Sequence, residues 1–245
     1  MSASPPGVWP EGYALAEHEE LDSTNAEALR LAAGGKGGPI WITATRQTAG
    51  RGRRGRSWDS AQGNLAATLL IRPERPLTEW AQLSFAAAIA TADMAAHFAP
   101  QARIAVKWPN DVLADGRKLA GILLETAGPM LAIGIGVNLA AHPTDTEFPA
   151  TDLAALGAKP QSPEQALARL AGNFAGWYEV WRKDGFAPLR DAWLARAAGL
   201  GQRIRARLPD RERNGVFEGI DENGALLLNE GHRTEAIAAG EVFFG

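Results

Sequence analysis

The chain has 245 residues, no cysteine and a formal net charge of −3. The lack of cysteine excludes disulfides, thiolate nucleophiles and cysteine-ligated metal sites, and the weak negative charge argues against binding of nucleic acid over the whole surface. Its length and its hydrophobic fraction of 46% are typical of a globular protein with one large domain, or one and a half, around a sizeable core.

No targeting segment is recognisable in the sequence. The opening residues, MSASPPGVWPEG, have no basic segment followed by an apolar one, so no secretory signal is expected. No stretch of the chain approaches the roughly 20 apolar residues that a membrane-spanning helix needs. We therefore expect a cytoplasmic protein that does not associate with membranes.

The first part of the chain alternates helical and β-like segments. Thr24 and Glu27 form a T-x-x-E capping box, which predicts a helix from there to the glycine pair at 34–35. PIWITATRQ and GNLAATLLIRP predict strands, and the apolar spacing over 77–98 predicts a second helix. ARIAVKW, DVLADGRKLAGILLETA and PMLAIGIGVNL predict further strands, the middle segment turning back at Asp115-Gly116.

Two more helices are predicted in the third quarter of the chain. Ser162-Pro163-Glu164-Gln165 combines a second capping box with a proline in the first turn, so a long helix should begin there. We expect it to end near Asp184-Gly185, and a shorter helix to fill residues 186–198. These helices would complete an α+β domain that comprises residues 1–198.

The remaining residues, 199–245, are typical of a small β-domain. QRIRARL, GVFEGI, ALLLNE and TEAIAAGEVFF are short β-like runs, and Asn-Gly pairs at 214–215 and 223–224 predict turns between them. Several short strands in so short a segment predict a small barrel. The chain is therefore expected to contain a large α+β domain followed by a small C-terminal β-barrel.

Basic charge is concentrated in one glycine-rich loop, from Gly50 to Arg56. Its G-R-G-R-R-G run has the form G-x-G-x-x-G, but RSWDS follows it instead of the apolar helix that a dinucleotide-binding fold requires. Glycines let backbone N–H groups approach an anion, and arginines donate bidentate hydrogen bonds to phosphate or carboxylate. The loop therefore predicts an anion clamp, with a solvated basic loop or a nucleic-acid patch as the alternatives from this segment alone.

Five short motifs occur in a fixed order along the chain: Asp22-Ser23-Thr24-Asn25, Gln47 to Arg53, Lys107-Trp108-Pro109-Asn110-Asp111, Lys118 to Leu123, and Gly134 to Asn138. Their order and spacing resemble those of biotin protein ligases over about residues 20–140. The resemblance implies an α+β fold with a mixed β-sheet and flanking helices, like the class II aminoacyl-tRNA synthetase cores, followed by a small C-terminal SH3-like β-barrel.

The resemblance also implies a reaction and its substrates. It implies an ATP-dependent ligase that activates biotin as biotinyl-5′-AMP and transfers it to a lysine of a biotin carboxyl carrier domain. Biotin, ATP and Mg²⁺ are the implied ligands. Since the first motif begins at Asp22, the segment before it is too short for a helix-turn-helix domain, and no binding to nucleic acid is expected. The sequence leaves a homodimer open.

Residue roles follow from the same resemblance. The residues implied to contact biotin are Ser23, Thr24, Asn25, Gln47, Arg51, Gly52, Arg53, Lys118, Gly134 and Gly136. Those implied to contact ATP are Arg51, Arg53, Trp58, Lys107, Asn110 and Asn138. Catalysis is expected from Lys118, Arg51 and Arg53, because the biotin carboxylate and the α-phosphate are both anions that positive charge must bring together. Asp111 is the candidate Mg²⁺ ligand, since this ion prefers oxygen.

Structural alternatives accompany several of these roles. Ser23 and Thr24 can serve as helix caps, Trp58 as an ordinary half-buried aromatic residue, and the Asn110-Asp111 pair as a turn. Gly134 and Gly136 can floor a flat ligand or allow close packing. The serines show no nucleophile-elbow pattern, so the expected intermediate is a bound adenylate and not a covalent enzyme adduct.

Two other functions share part of this pattern. A lipoate ligase would have the same fold and adenylation chemistry, but the glycine–arginine loop and the Lys107 to Asp111 motif favour biotin. A module that binds RNA or DNA would need basic residues spread over a face with interleaved aromatics, whereas here they lie in one loop. That loop, over about residues 50–60, is also expected to be mobile without ligand and to close over it.

Overall fold

The computed structural model describes residues 9–59, 61–159 and 161–244. The first eight residues, which include much of the segment used to judge secretion, lie outside the described residues. So do residue 60, at the end of the expected mobile loop, and residue 245, at the end of the expected barrel. Among the described residues, no helix is long and apolar enough to cross a membrane.

A seven-stranded mixed sheet forms the centre of the fold, with strands in the order β1-β2-β3-β7-β6-β5-β4. β1 and β2 are parallel and the other neighbours are antiparallel. The strands are β1 (Ala14–Leu21), β2 (Ile40–Gln47), β3 (Leu65–Ile71), β4 (Ile104–Lys107), β5 (Asp111–Ala114), β6 (Arg117–Ala127) and β7 (Met130–Val137). β1 is the one strand of this sheet without a predicted counterpart. It lies at the edge with no fully buried residue, so its sequence shows no apolar pattern.

Helices cover both faces of this sheet. α1 (Thr24–Ala33) packs on one face against β2, β3, β6 and β7, around buried Ala28 and Leu70. On the other face lie α2 (Leu83–Phe98), α3 (Pro163–Asp184) and α4 (Phe186–Leu194). α2 lies between the sheet and α3, which explains why apolar residues surround it on almost every side.

The predicted helix boundaries have mixed outcomes. The capping box at Ser162 is confirmed, with both of its hydrogen bonds present, and α3 ends at Asp184 as expected. The box at Thr24 is wrong, because Ser23 is the N-cap residue and makes no side-chain capping bond. The helix predicted over 77–98 begins with a 3-10 segment, and Leu77 is 62% exposed instead of belonging to the core.

A five-stranded antiparallel sheet, ordered β11-β10-β9-β8-β12, forms the SH3-like C-terminal part. Its strands are β8 (Arg203–Arg207), β9 (Glu212–Ile220), β10 (Leu226–Asn229), β11 (Thr234–Ile237) and β12 (Glu241–Phe244). The predicted turn at 223–224 is confirmed, and Gly224 has a φ of 88°. The turn predicted at 214–215 is wrong, since both residues lie inside β9. Glycine is required there because a Cβ on Gly215 would lie 2.5 Å from the carbonyl oxygen of Asn229 on β10.

The two sheets are joined directly. The indole N–H of Trp108 donates to the carbonyl oxygen of Gly224, with an N···O distance of 3.0 Å, and Trp108 is almost fully buried. The backbone of Val106 on β4 also exchanges hydrogen bonds with Arg196 and Ala198, just before the C-terminal sheet begins. The edge of the C-terminal sheet is therefore held beside β4 and β5. The expected α+β class, with a mixed sheet and an SH3-like C-terminal part, is confirmed.

Candidate active site

A pocket of about 430 Å³ opens on the α1 face of the large sheet, and Glu241 and Phe243 of β12 form part of its wall. All the residues that the motifs single out line it: Ser23, Thr24, Asn25, Gln47, Arg51, Gly52, Arg53, Trp58, Lys107, Asn110, Asp111, Lys118, Gly134, Gly136 and Asn138. The motifs converge because β5, β6 and β7 are sheet neighbours and the N-terminus of α1 lies over them. Their individual roles toward ligands stay predictions.

One end of the pocket is lined by uncharged polar side chains, with Glu125 behind them and Arg51 beside Glu125. The backbone N–H of Thr24 donates to Gln47 Oε1 over 2.8 Å, and Thr24 Oγ1 lies 3.1 Å from the same oxygen. Thr68 Oγ1 lies 2.8 Å from Thr24 Oγ1 and 2.6 Å from Asn25 Oδ1. Asn25 Nδ2 donates to Glu125 Oε2 over 2.8 Å. Buried polar groups must be paired in this way, because each unpaired one costs about 1–3 kcal/mol.

Ser23 completes this end. It is buried, it lines the pocket, and its hydroxyl makes no capping bond to α1. Thr24 does not cap the helix because its hydroxyl faces Gln47 and Thr68 instead. The residues that a local pattern assigns to capping thus have their side chains committed to the pocket wall.

Three glycines let other residues approach the sheet surface. Gly121 and Gly136 are partners across β6 and β7, and a Cβ on Gly136 would lie 2.3 Å from the Trp58 indole. A Cβ on Gly134 would lie 2.0 Å from Asn25 Oδ1. In this structure the glycines allow close packing of Trp58 and Asn25, and the role of Gly134 and Gly136 as the floor for a flat ligand stays a prediction.

The other end of the pocket carries paired positive charge. Lys118 Nζ lies 2.7 Å from Asp111 Oδ1 as an ion pair without hydrogen-bond geometry, and Lys107 Nζ lies 3.5 Å from Asp111 Oδ2. Burial lowers the pKa of Lys107, although Asp111 opposes this effect. Lys107 also lies 4.3 Å from the ring centroid of Phe148, a pocket residue without any predicted role. One carboxylate thus holds two lysines in place.

The glycine–arginine loop closes this end. Arg53 is half-buried and donates to Asn110 Oδ1 over 3.2 Å, while Asn110 Nδ2 donates to the carbonyl oxygen of Ile122. Burial, together with neighbouring Arg54, lowers the pKa of Arg53. Arg51 lies at the exposed side, 3.4 Å from Glu125. The loop folds back on itself, with the backbone N–H of Gly52 donating to Arg56 and that of Trp58 to Gly50. Its mobility without ligand stays a prediction.

An ion-pair network ties the loop to the C-terminal sheet. Arg56 lies 2.7 Å from Glu241, which also pairs with Arg207 at 2.8 Å, and Arg207 pairs with Glu147 at 2.7 Å. Burial raises the pKa of Glu241, but Arg207 and Arg56 outweigh it and hold the pKa below its ordinary value. Glu241, Glu147 and Phe148 are site residues that the motifs miss. Their local sequence carries no signal, because their partners are far away along the chain.

The described residues do not form a metal site of carboxylate and imidazole groups alone. Among the described residues, no group of three or more His, Asp or Glu side chains could hold a metal ion. Asp111, the predicted Mg²⁺ ligand, is nearly buried and already lies between two lysines. Asn138, a predicted ATP contact, is oriented by a hydrogen bond from its Nδ2 to the carbonyl oxygen of Thr151. A divalent ion would therefore depend on oxygens brought by a substrate.

Comparison with known proteins identifies the family. Residues 19–139 match the biotin/lipoate A/B protein ligase family, and residues 199–245 match the biotin protein ligase C-terminal domain. The biotin--[acetyl-CoA-carboxylase] ligase of Paracoccus denitrificans is 48% identical, covering 91% of this chain and 98% of its own. This chain belongs to the biotin protein ligase family. The resemblance carried by the five motifs is confirmed.

Other members of the family agree with this assignment. The biotin--[acetyl-CoA-carboxylase] ligase of Mycobacterium tuberculosis is 37% identical, covering 91% of this chain and 86% of its own. Biotin protein ligase from Aquifex aeolicus, whose structure was solved in complex with biotin and ATP, superimposes with a TM-score of 0.83 at 25% identity. That match covers 94% of this chain and 97% of the other.

Gly134→Ala should destabilise the protein by about 1–3 kcal/mol. The new methyl group would displace the buried Asn25 amide and leave its partners unpaired. Gly176→Ala is the matched control, because it lies inside α3 with open space at the Cβ position and should stabilise the helix by about 0.5–1 kcal/mol. Urea unfolding measures both. Equal stability of Gly134→Ala and the unaltered protein would contradict the packing described for Asn25.

Proposed function

We propose that this protein is an ATP-dependent biotin–protein ligase. It activates biotin as biotinyl-5′-AMP, with release of pyrophosphate, and then transfers the biotinyl group to a lysine of a biotin carboxyl carrier domain. The observation that carries the proposal is the division of one pocket into a neutral polar end and a cationic end. A neutral ring with a short acid tail matches that division, and the named relatives are biotin ligases, which favours biotin over lipoate.

The neutral end is the proposed site of the ureido ring. Ser23, Thr24, Asn25 and Gln47 surround it with paired donors and acceptors. A ureido group bears two N–H donors and one carbonyl acceptor. Hydrogen bonds within the wall fix the direction of its own donors and acceptors, so the wall favours a ligand whose donors and acceptors match them. Gly52, Gly134 and Gly136 are proposed to lie beside the ring, since they add no side chain of their own, although Asn25 lies over Gly134 and Trp58 over Gly136 in this structure.

The cationic end is the proposed site of the reaction. The biotin carboxylate oxygen attacks the α-phosphorus of ATP, the phosphoanhydride bond between the α-phosphorus and the bridging oxygen to the β-phosphate breaks, and pyrophosphate leaves. Arg51, Arg53 and Lys118 offset the repulsion between the two anions and the charge that develops on the phosphoryl oxygens. Asp111 is positioned to keep the Lys118 ammonium aimed at this point. In the second step the carrier lysine attacks the carbonyl carbon of the adenylate and AMP leaves.

Nucleotide contacts are proposed for Lys107, Asn110, Asn138 and Trp58, besides the two arginines. Trp58 offers an aromatic face next to Lys118, whose Nζ lies 5.8 Å from its ring centroid. Mg²⁺ is proposed to arrive with the ATP phosphates, because Asp111 is the single predicted protein ligand and two lysines already neutralise it. No step of the proposed reaction is assigned to the metal.

The wider setting is part of the same proposal. The partner is the carrier domain of a biotin-dependent carboxylase, the location is the cytoplasm, and neither nucleic acid nor membrane is a partner. Residues 1–198 act as the catalytic domain and residues 199–245 as the barrel. The wholly local pairing of β8 to β12 supports this division. A homodimer stays open.

The proposed activity predicts biotin-dependent exchange of pyrophosphate into ATP. With biotin and MgATP but no carrier, the protein should hold biotinyl-5′-AMP noncovalently, because the sequence shows no nucleophile-elbow pattern. Addition of a biotin carboxyl carrier domain should release AMP and yield biotinyl-lysine. Exchange that does not depend on biotin, or label recovered on a side chain of the enzyme, would refute the proposed route.

Lys118→Ala should slow adenylate formation roughly 30- to 1,000-fold. The change removes one charge-assisted donor at the reacting phosphate, which is worth about 2–4 kcal/mol of the activation barrier. Biotin-dependent pyrophosphate exchange measures the effect. Lys36→Ala is the control, because Lys36 lies on the surface in the loop that follows α1. A folded Lys118→Ala protein with an unchanged exchange rate would contradict the assignment.

Arg53→Gly should release biotinyl-5′-AMP faster while changing the affinity for biotin little. Arg53 joins the loop to Asn110 inside the pocket, so its loss loosens closure over the intermediate. Arg54→Gly is the matched control in the same loop, since Arg54 is exposed and has a left-handed φ of 57° that glycine tolerates. Stopped-flow displacement of labelled adenylate compares the two, and equal dissociation rates would show that Arg53 does not retain the intermediate.

A further inference from the structure

A continuous series of hydrogen-bonding atoms runs from the pocket to a carboxylate behind its wall. Thr24 Oγ1 lies 3.1 Å from Gln47 Oε1 and 2.8 Å from Thr68 Oγ1. Thr68 Oγ1 lies 2.6 Å from Asn25 Oδ1, and Asn25 Nδ2 lies 2.8 Å from Glu125 Oε2. Thr68 is fully buried, and Thr24 and Asn25 nearly so. We call Thr24, Thr68, Asn25 and Glu125 the polar relay.

Both ends of the relay have a fixed polarity. A carboxylate only accepts hydrogen bonds, so Asn25 must turn its Nδ2 toward Glu125 and its Oδ1 toward Thr68. At the other end, the backbone N–H of Thr24 donates to Gln47 Oε1, so the amide oxygen of Gln47 faces Thr24. An acceptor therefore stands at each end, with the two hydroxyl groups between them.

The relay has fewer hydroxyl protons than oxygen–oxygen contacts. Three oxygen–oxygen contacts join Gln47 to Thr24, Thr24 to Thr68 and Thr68 to Asn25, but only two hydroxyl protons are available to them. The two shorter contacts, of 2.6 and 2.8 Å, need protons most. With the two protons assigned to these contacts, Thr68 donates to Asn25 and the Thr24 hydroxyl turns from Gln47 to donate to Thr68.

This arrangement leaves Thr24 with a lone pair, and no proton, on its side toward the pocket. We infer that Glu125, acting through Asn25 and Thr68, makes Thr24 Oγ1 an obligatory acceptor for one ureido N–H of biotin. Glu125 and Thr68 are thus positioning residues that set ligand specificity without touching the ligand. The inference rests on the proposed function, since it assigns a direction to a contact at the ureido end of that site.

Gly134 makes room for Asn25 in the relay, and Arg51 contacts Glu125 at the end of the relay. The approach of Asn25 Oδ1 to the sheet requires glycine at position 134, where a Cβ would lie 2.0 Å away. Glu125 also lies 3.4 Å from Arg51, so a change at Glu125 alters the loop as well. The Thr68 side chain has hydrogen bonds only to Thr24 and Asn25 among the described residues, so a change at Thr68 does not alter the loop directly.

The test measures the ratio of the affinity for biotin to the affinity for an analogue of biotin. The probes are biotin and its two cyclic-carbamate analogues, in each of which oxygen replaces one ureido N–H, titrated without ATP in a calorimeter. One analogue should bind the unaltered protein about 100-fold more weakly than biotin, because its ring oxygen faces the lone pair of Thr24. In Thr68→Val the Thr24 proton is free to turn to that oxygen, so the ratio should fall about tenfold. Glu125→Gln should also lower it, since a glutamine amide can donate to Asn25 and reverse the relay.

Two controls separate specificity from general damage. Thr68→Ser keeps the hydroxyl and should keep the ratio of the unaltered protein. Thr43→Val removes a hydroxyl that donates to the carbonyl oxygen of Ala66 on the neighbouring strand, and should leave the ratio unchanged. Thermal unfolding confirms that each variant is folded. Damage to the pocket as a whole, or to Arg51, would weaken biotin and both analogues alike and would not move the ratio.

The outcomes distinguish the inference from the proposed function. No binding of biotin by the unaltered protein would overturn the proposed function. Binding of biotin with the same ratio in Thr68→Val would overturn the relay and leave that function standing. A ratio lowered in Thr68→Val but not in Glu125→Gln would remove Glu125 from the relay. Should Glu125→Gln not fold, Thr68→Val and Thr68→Ser decide the question.

Discussion

The bare backbone of β6 and β7 is the constraint on which the rest of the site depends. Gly121, Gly134 and Gly136 leave one stretch of the α1 face of these two strands without side chains, and the Trp58 indole and the Asn25 amide occupy that space. A Cβ at any of these three positions would lie within 3.0 Å of the Trp58 ring or the Asn25 amide. The loop packs directly on this surface through Trp58, and the N-terminus of α1 packs on it through Asn25. The surface therefore fixes the positions of both segments.

The cationic end and the neutral end of the pocket differ because a charge buried in a low-dielectric wall needs a partner of opposite charge. Lys107 is almost fully buried and stays beside Asp111, which Lys118 shares. Burial of two cations without that carboxylate would be costly, so the cluster is a structural necessity as well as a proposed catalytic device. At the far end, the buried groups are neutral where they meet the pocket. Glu125 lies behind them, where Arg51 can reach it from the loop.

The C-terminal sheet contributes to the site through charge and not through the motifs. Glu241 lies between Arg56 of the glycine–arginine loop and Arg207 of β8, with Glu147 beyond. These pairs are partly exposed, so each one alone contributes little. Together they connect three segments that line one pocket. The buried hydrogen bond from Trp108 to Gly224 joins the two sheets directly. The position of the loop is thereby linked to the barrel.

The sequence by itself determined the family, through five ordered motifs, and most helices and strands, because apolar periodicity and the Ser162 capping box are local properties. It also determined the pocket lining, since those motifs contain most of it. Only the tertiary structure decided that Thr24 does not cap α1, that β1 exists, that Glu241 lines the pocket, and that Glu125 lies behind the pocket wall. Asn25 and Glu125 are 100 residues apart, and Arg56 and Glu241 are 185 apart. Contacts over such separations depend on the folded sheet, and no local pattern encodes them.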